Sequence, residues 1–398
     1  MAILKITDKI KCCGCGICSA ICPQKCIEMR PSTEGFLYPN IDISKCTECS
    51  LCKNICPTNS CLPNRNIHFP VKVYACKNKN KSILSMSSSG AFFYEIGKWV
   101  IEKGGCVFGV KFDDNMKAIH AKAENINELK TFLGSKYVQS DKDSIWLSVK
   151  NELKKKRLVL FSGTPCEIGA LRNYLQKDYE NLILIDFICM GVPSPMILRK
   201  HLDDIEKKYK SKIATLSFRS KKYGANSHSL SIKFSNGKEY FRALYAEPYI
   251  KSFHSCISLR ESCHNCCYKK SHRESDITMA DFWGINTTNI KLSITNGISM
   301  IIIHSPTGKI IFDNIASCFD YEQSSIDVAQ SVQPMLTSSC NPSKDRNAFF
   351  EDFNQRKNHQ SFKEISHKYV PISKQNIMRS KIKEIGFIRQ FIQKTKGN

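Results

Sequence analysis

Residues 12–23 read CCGCGICSAICP, and residues 46–57 read CTECSLCKNICP. Laid over each other at an offset of 34 positions, Cys12, Cys15, Cys18, Cys22 and Pro23 recur as Cys46, Cys49, Cys52, Cys56 and Pro57. Each half is Cys-x2-Cys-x2-Cys-x3-Cys-Pro. In that spacing three thiolates on a tight loop grip one iron–sulfur cubane, while the fourth, at a helix start, reaches the other. The crossed scheme gives Cys12, Cys15, Cys18 and Cys56 to one 4Fe-4S cluster and Cys46, Cys49, Cys52 and Cys22 to a second. Zinc competes for any single Cys-x2-Cys pair, but two matched quartets with trailing prolines speak against it.

The repeat is that of a bacterial-type dicluster ferredoxin, and its domain is set at residues 1–65. So small a domain cannot bury enough apolar surface to fold alone, so its clusters act as staples. Cys13, Cys26 and Cys61 fall outside both quartets and read as small buried side chains. The segment LPNRNIHFP, residues 62–70, has prolines near both ends and a polar middle, and reads as a linker.

The chain has 398 residues, enough for two or three compact domains, and 42% of them are apolar, which excludes a mainly disordered protein. No apolar run is long enough to span a bilayer and no secretion signal opens the sequence, so the expected compartment is cytoplasmic. A reduced compartment has little use for disulfides, so the 21 cysteines point to metal. The formal net charge is +23. Basic low-complexity tracts are absent, so no nucleic acid is expected; the charge suits an acidic electron carrier or an anionic substrate.

From Val71 onward short apolar runs alternate with amphipathic stretches, the pattern of a mixed α/β domain. VKVYACK (71–77), CVFGVKF (106–112), LVLF (158–161) and LILIDFIC (182–189) read as strands. Two of them end in Gly/Pro turns carrying Cys166 and Cys189, where open α/β sheets bind ligands. SIKFSNGKEYF (231–241) reads as a hairpin turning at Asn236-Gly237. Cys263 and Cys266 form another Cys-x2-Cys pair, which alone is as compatible with a metal site as with none. Joined by Cys166 and Cys189, it would make a third cluster. Clusters pass single electrons, so an enzyme fed by them needs a converter, commonly flavin. No Gly-x-Gly-x-x-Gly follows a strand. Flavin phosphates would then need another small-residue loop, such as Ser87–Gly90, for which a serine-rich helix cap is the plain alternative. The histidines are dispersed, and Asp281 reads as a loop or capping carboxylate. No catalytic residue is singled out.

Five stretches in order, SSSGAF (87–92), GSKYVQS (134–140), FSGTPCEIGAL (161–171), DFICMGVPSP (186–195) and SCHNCCYKKSHRESDITMADFWG (262–284), resemble the coenzyme F-420 hydrogenase/dehydrogenase beta subunits. The resemblance covers residues 70 to 340 and implies a flavin- and cluster-binding mixed α/β body behind the ferredoxin domain. The body divides into an N-terminal region (66–160) and a C-terminal region (161–345), followed by a basic amphipathic tail (346–398). The family's cluster cysteines match Cys166, Cys189, Cys263 and Cys266. For FAD, the resemblance suggests Ser88, Ser89, Gly90, Lys136, Tyr137, Ser140, Ser162, Gly163 and Thr164. Two departures stand out: Cys-Met-Gly (189–191) where the family has Cys-His-Gly, and Glu167 where it has glutamine.

The implied function is an FAD- and iron–sulfur-dependent oxidoreductase moving electrons between its clusters and a two-electron substrate. That substrate is a deazaflavin or another organic metabolite, for which polysaccharide biosynthesis is one setting. The alternative is a non-catalytic electron-transfer subunit of a larger redox complex. Expected partners are ferredoxin or another low-potential carrier, a partner redox subunit and a small-molecule substrate. In the tail, Ile377, Met378, Ile382, Ile385, Ile388, Phe391 and Ile392 recur near helical spacing, which suits docking on the body or on an anionic surface.

Overall fold

The computed structural model describes residues 6, 8–59, 68–221, 228–356 and 360–383. Cys61, most of the expected linker and the tail beyond residue 383 lie outside them. In the N-terminal part, each cysteine loop runs into one short helix, α1 (Ile17–Ile21) and α2 (Leu51–Asn54). Gly16 and Ser50, 34 positions apart like the cysteines, precede these helices with φ of 75° and 60°. A hairpin of β1 (Ile27–Pro31) and β2 (Leu37–Ile41) lies between them in sequence. The internal core here is made of Ile6 and Ile27 with four buried cysteines, Cys18, Cys26, Cys52 and Cys56.

The body is built on an eight-stranded mixed sheet. Its strands are β3 (Lys72–Asn78), β4 (Cys106–Phe112), β5 (Ala118–Ala123), β6 (Val159–Ser162), β7 (Leu182–Phe187), β11 (Ile277–Asp281), β12 (Ser299–Ile303) and β13 (Phe319–Ser324). They lie in the order β13-β3-β12-β11-β7-β6-β4-β5. The four central strands β4, β6, β7 and β11 are parallel, with Leu160 opposite Ile183 and Ile185 opposite Ile277. They are apolar and buried because both faces are covered. The remaining pairings, β4·β5, β11·β12, β12·β3 and β3·β13, are antiparallel.

One face packs against α4 (Phe92–Glu102), through Phe92, Ile96 and Val100. The other carries α6 (Ile145–Lys154) and α7 (Pro165–Leu175), through Trp146, Val149, Ile168 and Leu171. Helix α7 opens at Pro165, because proline is preorganised for the first helical position. A smaller antiparallel sheet orders β10 (Glu239–Ala243), β9 (Ser229–Phe234) and β8 (Ile213–Ser220). Its hairpin turns at Gly237, where φ is 80°. That sheet packs on α8 (Pro195–Tyr209) and on Phe349, Phe353 and Phe362, all three fully buried. The helices Arg346–Gln355 and Phe362–Tyr369, inside the stretch read from sequence as a tail, therefore pack one face into the core. Farther on, Ser380 Oγ accepts the Ala243 N–H at 3.1 Å while Met378 and Ile382 stay exposed. Among the described residues no helix is long and apolar enough to cross a membrane.

Candidate functional site

Strands β6 and β7 are parallel neighbours, so their carboxyl ends deliver Cys166 and Cys189 to the same sheet edge. The segment 262–269 comes over that edge from the body. Together they enclose a cavity of about 280 Å³ whose lining includes Cys13, Cys166, Cys189, Cys263, Cys266 and Cys267. All four body cysteines expected from the motifs face it. Cys13, read from sequence as a small buried side chain, lines it too. The thiols surround a volume, not a point: among the described residues no three His, Cys, Asp or Glu side chains meet at a single-ion position.

Burial holds the Cys189 thiol well above its ordinary range and lifts Cys263 to about 12 and Cys266 to about 11. Cys166 is raised first by its bond with Cys13 and then by burial. A cation must therefore displace protons to bind here. Lys11, Lys269 and Arg273 also line the cavity, and Lys269 Nζ donates to Cys189 O and to Met335 O. Soft sulfur donors ringed by cations fit an anionic iron–sulfur cluster.

In the N-terminal part, Cys22, Cys46, Cys49 and Cys52 line one small cavity, together with Cys26, whose sulfur is 3.4 Å from that of Cys22. Cys18 neighbours Cys12 and Cys56, whose charges add to burial in raising its thiol to about 12. This part is pinned to the body. Ile17 and Ile55 enter the core formed by Trp146, Ile168 and Leu171. Trp146 Nε1 donates to Cys15 O at 3.0 Å, Gln139 Nε2 to Cys13 O at 3.0 Å and Asn173 Nδ2 to Ile55 O at 2.9 Å. Tyr268 Oη donates to Pro57 O at 3.0 Å and Arg260 Nε to Cys12 O at 2.6 Å. Arg346 grips Glu34 with two bonds of 2.9 and 2.6 Å.

The nine residues expected around a flavin separate. Thr164 lines the cysteine cavity, with its Oγ1 3.1 Å from Cys166 Sγ. Ser162 ends β6, and Gly163 donates its N–H to Ile185 O. Ser140 Oγ meets His120 Nδ1 at 3.0 Å. Lys136 Nζ is engaged by the carbonyls of Thr131, Phe132 and Leu133, closing the end of α5 (Ile126–Thr131). Ser88 Oγ takes the Ser135 N–H, and Gly90 packs where a Cβ would lie 2.2 Å from Cys76 O. Tyr137 stacks on Phe253 at 5.1 Å.

A basic group that sequence reasoning missed lies beside this second set. Lys221 Nζ donates to Ser89 O, Leu84 O and Asn296 O, and burial lowers it to about 8. Arg219 pairs with Asp281 and donates to His228 Nε2 at 2.7 Å. Asp281 is thus an ion-pair partner, not a loop cap. His228 Nδ1 and Ser87 Oγ are buried and meet no partner among the described residues. The only sequence signal was the basic run FRSKKY ahead of His228.

Glu167 lines the cavity as well and is buried. Burial alone pushes its carboxyl up, but Lys142 Nζ at 2.8 Å and the Thr164 N–H at 2.8 Å hold it below its usual range. A depressed carboxyl contributes stability above its unfolded pKa of about 4.3 that is lost as pH falls through the folded value. Lys142→Met strands this charge, with an expected cost of about 3–5 kcal/mol at pH 7 in urea melts. The sign then reverses: with Lys142 gone, burial outweighs the remaining Thr164 N–H bond and raises the carboxyl, so the variant gains stability from pH 7 to pH 5 where the native protein does not.

Comparison with known proteins adds the following. Residues 156–328 match the family model for the C terminus of the coenzyme F420 hydrogenase/dehydrogenase beta subunit, and residues 11–60 match the 4Fe-4S dicluster domain. No curated protein matches the chain. Among solved structures, a chain of the xenon-derivatised F420-reducing NiFe hydrogenase complex from Methanosarcina barkeri is 14% identical, with a TM-score of 0.44. The match covers 72% of this chain and 93% of that one. The chain therefore joins residues that match a 4Fe-4S dicluster domain, the equipment of iron–sulfur electron transfer, to residues that match the C-terminal family model of coenzyme F420 hydrogenase/dehydrogenase beta subunits.

Proposed function

We propose that this protein is an iron–sulfur flavin oxidoreductase that moves electrons between ferredoxin-type clusters and a two-electron substrate, a deazaflavin or another organic metabolite. The observation that supports it is the shared cavity. Cys13 of the N-terminal loop faces the same volume as Cys166, Cys189, Cys263 and Cys266, and its chain neighbour Cys12 lies with the first quartet. In this reading Cys12, Cys15, Cys18 and Cys56 hold one cluster, Cys46, Cys49, Cys52 and Cys22 a second, and the four body cysteines a third. FAD is assigned to the loops carrying Ser88, Ser89, Gly90 and Tyr137. Lys221 lies there as a cation and His228 Nδ1 as an open partner.

When bound, the clusters supply single electrons and the flavin pairs them for the substrate. The chain's own residues do the rest. Lys269 and Arg273 offset negative charge at the cavity, and Met190 and Val192 line it with apolar surface. The net charge of +23 favours encounter with an acidic low-potential ferredoxin. Protein prepared without oxygen is expected to contain about twelve iron atoms and one FAD per chain. Dithionite-reduced ferredoxin should then bleach its flavin absorbance. Zinc in place of iron, or a flavin band that persists with all clusters intact, rejects the proposal.

A further inference from the structure

We infer that Arg260 is the counter-charge of the first N-terminal cluster and sets its reduction potential. This rests on the assignment of Cys12 to that cluster. Among the described residues four arginines are buried: Arg219, Arg260, Arg273 and Arg346. Three pair with carboxylates, namely Asp281, Asp186 and Glu34. Arg260, the most deeply buried at 0% exposure, has only neutral acceptors. They are Cys12 O at 2.6 Å, Gln139 Oε1 at 3.1 Å, Leu37 O at 3.0 Å and Cys12 Sγ, 3.5 Å from its Nη2. A guanidinium taken wholly out of water needs an anion nearby. Among the groups its guanidinium hydrogen-bonds, the one that becomes anionic on loading is the Cys12 sulfur, while Cys263 of the body feels the same charge without a hydrogen bond to it.

The setting is built for this cation. Its plane lies over the Tyr38 ring at 4.2 Å, with Phe36 at 5.4 Å. Gly14, two residues beyond Cys12, has φ of 69°, and a Cβ there would come within 2.6 Å of Arg260 Nη1. A cluster held by four thiolates carries about −2 when oxidised and gains one further negative charge with each electron from its donor. A fixed positive charge in a low-dielectric interior stabilises the reduced form more than the oxidised form. Arg260 therefore makes this cluster easier to reduce than it would be without the buried charge.

The test is a redox titration of anaerobic full-length protein followed by electron paramagnetic resonance, on the native chain, Arg260→Lys and Arg260→Met. A Cys12→Ser sample identifies the signal. With Met, the reduction equilibrium of that cluster is expected to fall at least tenfold, 59 mV for one electron, with the second N-terminal cluster unmoved. With Lys, which keeps the charge, it should stay within about threefold of native, a range well inside that tenfold step. A fully loaded Met variant with an unshifted signal overturns the inference, as does a Lys variant that shifts as far as Met. If Met strips iron from the first cluster alone while Lys retains it, the counter-charge role is supported; loss with both overturns it. If Cys12→Ser changes neither iron content nor any signal, the ligand assignment itself is what has failed.

Discussion

Serine in place of Cys263 is expected to remove about four of twelve iron atoms and to abolish flavin reduction by ferredoxin, leaving the N-terminal signals intact. Cys263 sits in the wall of the body cavity with Cys166, Cys189 and Cys266. A hydroxyl neither ionises at neutral pH nor matches a thiolate's affinity for iron, so one missing ligand opens the cluster. The same loss should follow at Cys166, Cys189 and Cys266. Cys267→Ser and Cys13→Ser are the controls: both thiols line the cavity, yet neither belongs to the assigned set. Retained iron in these two and lost iron in the four gives the ligand set, measured by iron analysis and electron paramagnetic resonance. Full iron in Cys263→Ser would sink it.

Trp146→Ala should be the most destabilising single change in the interface between the two parts. The side chain is 1% exposed and fills the core shared by Ile17, Ile55 and α7. Truncating a buried tryptophan costs about 3–5 kcal/mol. Removing the indole N–H also strands the Cys15 carbonyl, for roughly 1–3 kcal/mol more. The loss should appear in chemical denaturation of anaerobic protein, and as faster hydrogen exchange in residues 12–22. Trp146→Phe, which keeps most of the volume but not the donor, should show only the smaller part. Equal losses in both variants would mean that the hydrogen bond, not the packing, dominates.

The parts legible in the sequence were those written at short range. Cysteine spacing, the Asn236-Gly237 turn and the cysteine-bearing loops after β6 and β7 depend on residues within a few positions of one another. Strand order was not legible, because β3 lies between β12 and β13, more than 200 residues away, and nothing local encodes that pairing. The buried stretch from Arg346 was misjudged by charge, although Phe349, Phe350 and Phe353 already carried the helical spacing of a packed face. Arg219 and Lys221 were passed over because the members of a basic run look alike until a fold gives one of them a buried partner. Arg260 is the extreme case, since its contacts are with residues more than 100 positions away.

Beside the apolar packing of Ile17 and Ile55, the body's hydrogen bonds to the cysteine loops go mostly to their main chain. Arg260, Gln139, Trp146, Asn173 and Tyr268 all donate to backbone carbonyls, those of Cys12, Cys13, Cys15, Ile55 and Pro57. Every amino acid has a carbonyl, so these five donors read the path of the loop and are blind to most of its side chains. The N-terminal part is consequently an exchangeable module. A foreign iron–sulfur domain with the same cysteine spacing should seat on this body if it also carries glycine at position 14, isoleucine at 17 and 55 and an acid at 34.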